Sequence, residues 1–222
     1  PTPQHYSEMT FVPEQGVPYR LWLRGKAASN SWANDSPWVK FSDSLNASRA
    51  PVYQTGTPSA ANVTIEDCTS CGLSGWGWND NAIGAGVLGQ QIFFAASGEH
   101  TVRVQVREDG LSIDQIVLSR DAFLNTSPGR PKDDGTILVE ARGGTTGEPP
   151  PPPPPGATDI VLHMTGATLT GAWQVVDDPA VDDSRARALD DPGAVAVAEH
   201  AGDADRDPGG VAHRVRRERQ GL

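Results

Sequence analysis

Apolar and polar residues alternate with a period of two through much of the first 141 residues. In Tyr19-Arg-Leu-Trp-Leu-Arg24, the side chains of Tyr19, Leu21 and Leu23 share one face. In Thr101–Arg107, Val102, Val104 and Val106 point one way while Arg103, Gln105 and Arg107 point the other. Val39 and Phe41 alternate in the same manner with Trp38 and Lys40. That period marks strands with one buried face. Shorter candidate strands are Ser7–Phe11, Pro51–Gln54, Val63–Ile65, Gln91–Ala95, Leu111–Leu118 and Thr136–Val139. Pairs such as Ser97-Gly98, Asp109-Gly110 and Asp134-Gly135 separate them, since glycine and its polar neighbours supply the turns. About nine short strands with no helical period predict an all-β fold, a jelly-roll β-sandwich.

The pattern then breaks and resumes. Residues 142–157 hold Gly-Gly-Thr-Thr-Gly-Glu followed by Pro149 through Pro155, a composition that predicts a stiff polyproline II spacer. Asp159–Met164 and Ala172–Val176 read as strands again, with Ile160, Leu162 and Met164 on one face. After Gly202 no apolar pattern is left, and residues 202–222 are expected to be a disordered tail. That abrupt loss suggests a truncated or frameshifted gene, and the opening Pro1-Thr2-Pro3, with no apolar leader behind it, suggests a fragment or a processed product.

Composition narrows the class. Glycine (24) and proline (19) are abundant and hydrophobic residues make up only 37% of the 222, as in a loop-rich β protein with a linker. No apolar run is long enough to span a membrane. A net charge of −10 argues against nucleic acid as a partner, because phosphate contacts need clustered Lys and Arg. None of the five histidines lies in a nucleophile or metal motif, so no catalytic residue is assigned and the expectation is a non-enzyme that requires no cofactor.

The two cysteines, Cys68 and Cys71, lie in Cys-Thr-Ser-Cys-Gly. Four zinc ligands are not at hand, and the following Gly72-Leu-Ser-Gly75 is loop rather than the helix start of a redox pair. A local disulfide that shapes this loop is the favoured reading. The loop continues as Gly75-Trp-Gly-Trp-Asn-Asp-Asn81. Two indoles between glycines, beside Asn79 and Asp80, suit a flat platform for a sugar ring, with the amide and carboxylate taking hydroxyls. The competing reading has Trp76 and Trp78 folded inward as plugs. Trp32-Ala-Asn-Asp-Ser-Pro-Trp38 is a second cluster, in which Trp32, Asn34 and Asp35 either bind ligand or build a turn. Arg107 is expected to brace the loops through Asp80 or Asp114.

Gly16-Val-Pro-Tyr-Arg-Leu-Trp-Leu-Arg-Gly-Lys-Ala27 resembles a strand of family 6 and family 35 carbohydrate-binding modules. Glu99–Gln105 followed by Leu111–Leu118 resembles their closing strands. Trp32–Ser36, Cys71–Asp80 and Arg107–Ile116 are similar to a galactose-binding-like repeat of large exported bacterial proteins. The resemblance covers residues 1–141, a module lacking its front strands, with the front part of a second copy at 158–201. It implies that Ile160–Met164 or Trp173–Val176 pairs within the sheets of residues 1–141; the alternatives are the same exchange between two chains and a loosely ordered C-terminal half. It further implies a non-catalytic module that binds polysaccharide or glycan, secreted or at the cell surface and joined to further domains of a larger parent, or else a structural or adhesive spacer with no sugar ligand. Those binding families hold a structural calcium through a Glu-x-Glu first strand and a last-strand aspartate. Asp114 stands at the latter position, but Asp159-Ile-Val-Leu-His-Met lacks the paired glutamates, and calcium needs six or more oxygens.

Overall fold

The computed structural model describes residues 3–138, 159–177 and 184–188, with only the backbone described for 176–177 and 184–188. The spacer at 142–157 and the tail at 202–222 lie outside the described residues. Nine strands fall in the first part: β1 (Tyr6–Phe11), β2 (Arg20–Ala27), β3 (Pro37–Phe41), β4 (Ser44–Leu45), β5 (Ala61–Asn62), β6 (Gly77–Asn79), β7 (Phe93–Phe94), β8 (His100–Val106) and β9 (Leu111–Ser119). Four follow: β10 (Asp159–His163), β11 (Thr168–Thr170), β12 (Trp173–Asp177) and β13 (Ser184–Ala188). The only helical turns among the described residues are three short 3₁₀ turns.

The strands form two antiparallel sheets packed face to face. One runs β11-β1-β8-β3-β5. The other runs β12-β13-β9-β2-β6, with β10 also alongside β9. β10 takes the β9 edge along Gln115–Ser119 and β13 takes it at Ser112–Ile113. A two-stranded ribbon, β4-β7, pairs with neither, and its Phe94 is part of the common core. The inward alternates of each sheet meet in one core. Met9, Phe11, Val39, Phe41, Val102 and Val104 come from the first sheet, and Leu21, Leu23, Ile113, Ile116 and Leu118 from the second. Each such side chain contributes roughly 1.5–3 kcal/mol when fully buried.

β9 contains one irregularity that shapes everything near it. Arg24 lies opposite Gln115 and Gly25 opposite Ile113, so the β2 register passes over Asp114. This bulge resets the parity of the strand. Leu111 and Ile113 face the core before it, and Ile116 and Leu118 after it, as an inserted residue requires.

The second sheet is covered on its outer face as well. Residues 120–138 cross it as a loop held by side-chain donors: Trp22 Nε1 to Phe123 O (2.7 Å), Arg20 Nε to Leu124 O (2.9 Å), Trp78 Nε1 to Thr136 O (3.1 Å) and Gln115 Nε2 to Leu138 O (2.7 Å). Trp22, Trp78 and Val117 form a second small core beneath it, with Phe123, Leu138 and Val161. The expected strand at Thr136–Val139 is therefore covering loop over its described residues 136–138. Pro51–Gln54 and Val63–Ile65 also form no strand. The first makes only isolated bridges from Pro51 and Gln54, and the pairing near the second belongs to Ala61–Asn62.

Candidate functional site

The tryptophan loop is built by two chain segments zipped together. Asp133 N donates to Ser74 O (2.9 Å), Asp134 N to Trp76 O (2.8 Å) and Trp78 N to Arg130 O (3.0 Å). Cys68 and Cys71 form the expected disulfide, with Cα atoms 5.4 Å apart, and the Cys71 carbonyl accepts from Lys132 Nζ (2.6 Å). Within this frame the two indoles part company. Trp78 is 1% exposed and packs as a plug with Trp22 and Val117. Trp76 is half-buried, with the Arg24 guanidinium 5.0 Å from its ring centroid. Asn79 and Asp80 are buried. The Asp80 carboxylate closes the next loop by accepting from Ala82 N (2.8 Å) and Gly89 N (2.6 Å). This is turn chemistry, with the carboxylate standing in for a backbone acceptor.

The Trp32 cluster divides in a similar way. Trp32 stands 73% exposed on a 3₁₀ turn whose first N–H groups are capped by Ser31 Oγ, accepting from Ala33 N (3.3 Å). Asn34 Nδ2 donates to Ala28 O (3.3 Å). Asp35 is buried and accepts from Glu66 N (3.1 Å). Its own N–H donates to Glu108 Oε2 (3.0 Å), which also accepts from Ser36 Oγ (2.7 Å). Glu66 in turn accepts from Gly72 N (2.8 Å), beside the disulfide. Hydrogen bonds thus connect the Trp32 cluster to the cysteine loop. Burial, with the neighbouring Glu108, pushes the Asp35 carboxyl up to about 6. Burial acts on Glu108 in the same sense, but hydrogen bonds from Ser36 and Asp35 and the charge of Arg107 outweigh it and hold Glu108 low.

Asp114, the bulged residue, is buried and ion-paired to the buried Arg24. Arg24 also donates to Asp134 O (2.9 Å). A guanidinium already occupies the place a cation would take, and no group of three or more His, Cys, Asp or Glu gathers for a metal among the described residues. These residues do not fit calcium. Arg107 braces neither Asp80 nor Asp114; it binds Ser36 and Glu108.

Sequence reasoning missed the outward face of the first sheet. The register places Asn62, Trp38, Gln105, Tyr6 and Thr170 in one row across β5, β3, β8, β1 and β11. The next row holds Lys40, Arg103, Glu8 and Thr168. All are outward alternates of strands whose other face is core. Trp38 is 37% exposed, with the Arg107 guanidinium 5.4 Å from its ring centroid. Arg103 lies 4.2 Å over the Tyr6 ring and donates from Nε to Glu8 Oε1 (2.8 Å). The signal was present in the alternation of Arg103, Gln105 and Arg107 with the valines, but the aromatic partners come from strands far away in sequence.

The fold and this face define a two-sheet β-sandwich with an aromatic, amide and guanidinium-bearing sheet surface. No protein family, curated protein or solved structure matches the chain.

Proposed function

We propose that this chain is a non-catalytic carbohydrate-binding module of a secreted or cell-surface protein, with a galactose-binding-like jelly-roll ancestry and further domains in its parent. The observation that carries the reading is the row Asn62–Trp38–Gln105–Tyr6 on the outward face of the first sheet. Trp38 and Tyr6 lie two strands apart, about 10 Å, the span of a disaccharide. Apolar sugar faces stack on aromatic rings, while Gln105 between them and Asn62, Arg103 and Arg107 beside them take hydroxyls. The Cys68–Cys71 disulfide suits an oxidising, extracellular setting. In the loops, Trp32 and the half-buried Trp76 are the remaining indoles suited to contact ligand; Trp78, Asp80 and Asp35 serve the loop frame.

The test is retention of the full chain on a panel of immobilised polysaccharides. Trp38→Ala is expected to weaken retention at least tenfold, about 1.4 kcal/mol, with little change in melting temperature. Trp78→Ala is expected to lower the melting temperature instead, as loss of a buried tryptophan does. Retention on no polysaccharide, or retention indifferent to Trp38, removes the proposal. The spacer reading draws support from the burial of Trp78, Asn79 and Asp80, and it is the one left standing by retention on no polysaccharide.

A further inference from the structure

We infer that the saccharide taken by the outward sheet face is anionic, with its carboxylate or sulfate seated between Lys40 and Arg103. The inference rests on the carbohydrate-binding reading and adds the ligand's charge. Lys40 and Arg103 are direct cross-strand partners on β3 and β8. Like charges placed opposite one another destabilise a sheet, so a pair kept in this position calls for a counter-charge. The side chains at hand supply only part of it. Arg103 shares Glu8, while the Lys40 ammonium donates to a neutral carbonyl, Thr57 O. The row thus carries two cations to one carboxylate, on a chain whose net charge is −10. Burial first, and the facing Arg103 second, hold the Lys40 amine below its ordinary value.

The spacing suits one sugar with an exocyclic anion. Along the backbone, Lys40 lies two residues from Trp38 on β3, about 7 Å, and Arg103 one strand across, about 5 Å; the ammonium leans to Thr57 O and the guanidinium to Tyr6 and Glu8, on either side of the seat. A ring stacked on Trp38 can extend a carboxylate or sulfate ester to that seat. There the planar guanidinium offers a paired donor edge and the ammonium a point charge.

The experiment titrates the full chain with three oligosaccharides of equal length: an uncharged one, its uronate counterpart and its sulfated counterpart. At least one anionic oligomer should bind tenfold or more tighter than the neutral one, and the preference should shrink as salt rises. The arm that shows it identifies the anion as carboxylate or sulfate. Lys40→Met should bring the ratio of anionic to neutral affinity near one, while Lys26→Met, on the exposed surface of the other sheet, should leave it in place. Circular dichroism of both variants checks that they fold. Trp38-dependent binding that is blind to charge overturns this inference and leaves the carbohydrate reading intact. Binding that does not depend on Trp38, or no binding to any of the three, overturns both.

Discussion

At the residue scale, the carboxyl pair of Asp35 and Glu108 gives the molecule a readable pH dependence. Asp35 is buried, and its carboxyl is pushed up to about 6 from an ordinary 3.8. Between those values the folded chain holds a proton that the unfolded chain has released, so stability falls as pH rises through the window and the loss is complete above about 6. Glu108 is held low, so its contribution is full at higher pH and is lost as pH falls below the ordinary glutamate range. The pair therefore stabilises the fold most at mildly acidic pH. Two units correspond to about 3 kcal/mol for an isolated group; solvent screening reduces this, and Glu108 opposes it only at the acid end of the window, so about 1–2 kcal/mol is expected between pH 4 and 6. Asp35→Asn keeps an acceptor for Glu66 N–H and adds a donor toward Glu108. Urea denaturation at several pH values should show the variant's fall across that window clearly smaller than the parent's, and a profile parallel to the parent's would refute the assignment. None of this was visible in Trp32-Ala-Asn-Asp-Ser-Pro-Trp38. The sequence places Asp35 in a turn cluster, but the Glu108 beside it comes from the far side of the chain.

At the scale of elements, the Gly-Trp-Gly-Trp segment shows which part of a loop can be read in advance. The glycines and indoles stand out in the sequence, but Gly77 is required for a reason that needs the partner segment. A Cβ there would sit 1.9 Å from the Pro131 carbonyl oxygen and 2.4 Å from its carbon, a backbone clash that no rotamer relieves. Gly77→Ala should therefore force the 74–78 and 130–134 segments apart, breaking the Trp78 N–Arg130 O and Asp134 N–Trp76 O bonds and withdrawing the Trp78 plug. A loss of about 3 kcal/mol is expected, in the range of overpacked or broken buried contacts; a melting temperature equal to the parent's would contradict the zipped loop. The β9 bulge, too, needs its neighbours to be seen. Leu111–Leu118 reads as a plain strand, since Val117 continues the even spacing of Leu111 and Ile113; the odd step from Ile113 to Ile116 shows only once the core is known to take Ile116 and Leu118. Thr136–Val139 has strand composition, yet over 136–138 side-chain donors on Trp78 and Gln115 take its carbonyls in place of a neighbouring strand. Thr168–Thr170 and Ser184–Ala188 carry too little apolar pattern to be found alone, and they become strands only against β1, β12 and β9.

At the scale of the whole molecule, residues 159–177 close both sheets at once. β10 runs antiparallel to β9, Ile160 opposite Leu118 and Leu162 opposite Ile116, while β11 runs along β1. The Asp159 carboxylate accepts from Ser119 Oγ (2.7 Å), Arg120 N (2.9 Å) and Asp121 N (3.1 Å), tying the start of this segment to the end of β9. At its other end Ala172 N donates to His5 Nδ1 (3.0 Å). Met164 and Trp173, 0% and 1% exposed, belong to the same core cluster as Leu21 and Val104. Without the segment, the β1 and β9 edges would present unpaired backbone groups, which is costly where apolar faces adjoin. Trp173→Ala in the intact chain should thus cost about 3–5 kcal/mol of global stability. It should also lower the unfolding midpoint seen by every probe together, since the segment and the body share one core. A sharper version cuts the connection. With a specific protease site placed among residues 139–158 and cleaved after folding, the two pieces should still elute together on size exclusion, held by the β9–β10 and β1–β11 ladders. The same cleavage in the Trp173→Ala chain should release the C-terminal piece. Separation of the pieces after cleavage of the parent chain would mean that the ladders alone do not hold the segment, and that its place in the sandwich depends on the covalent link.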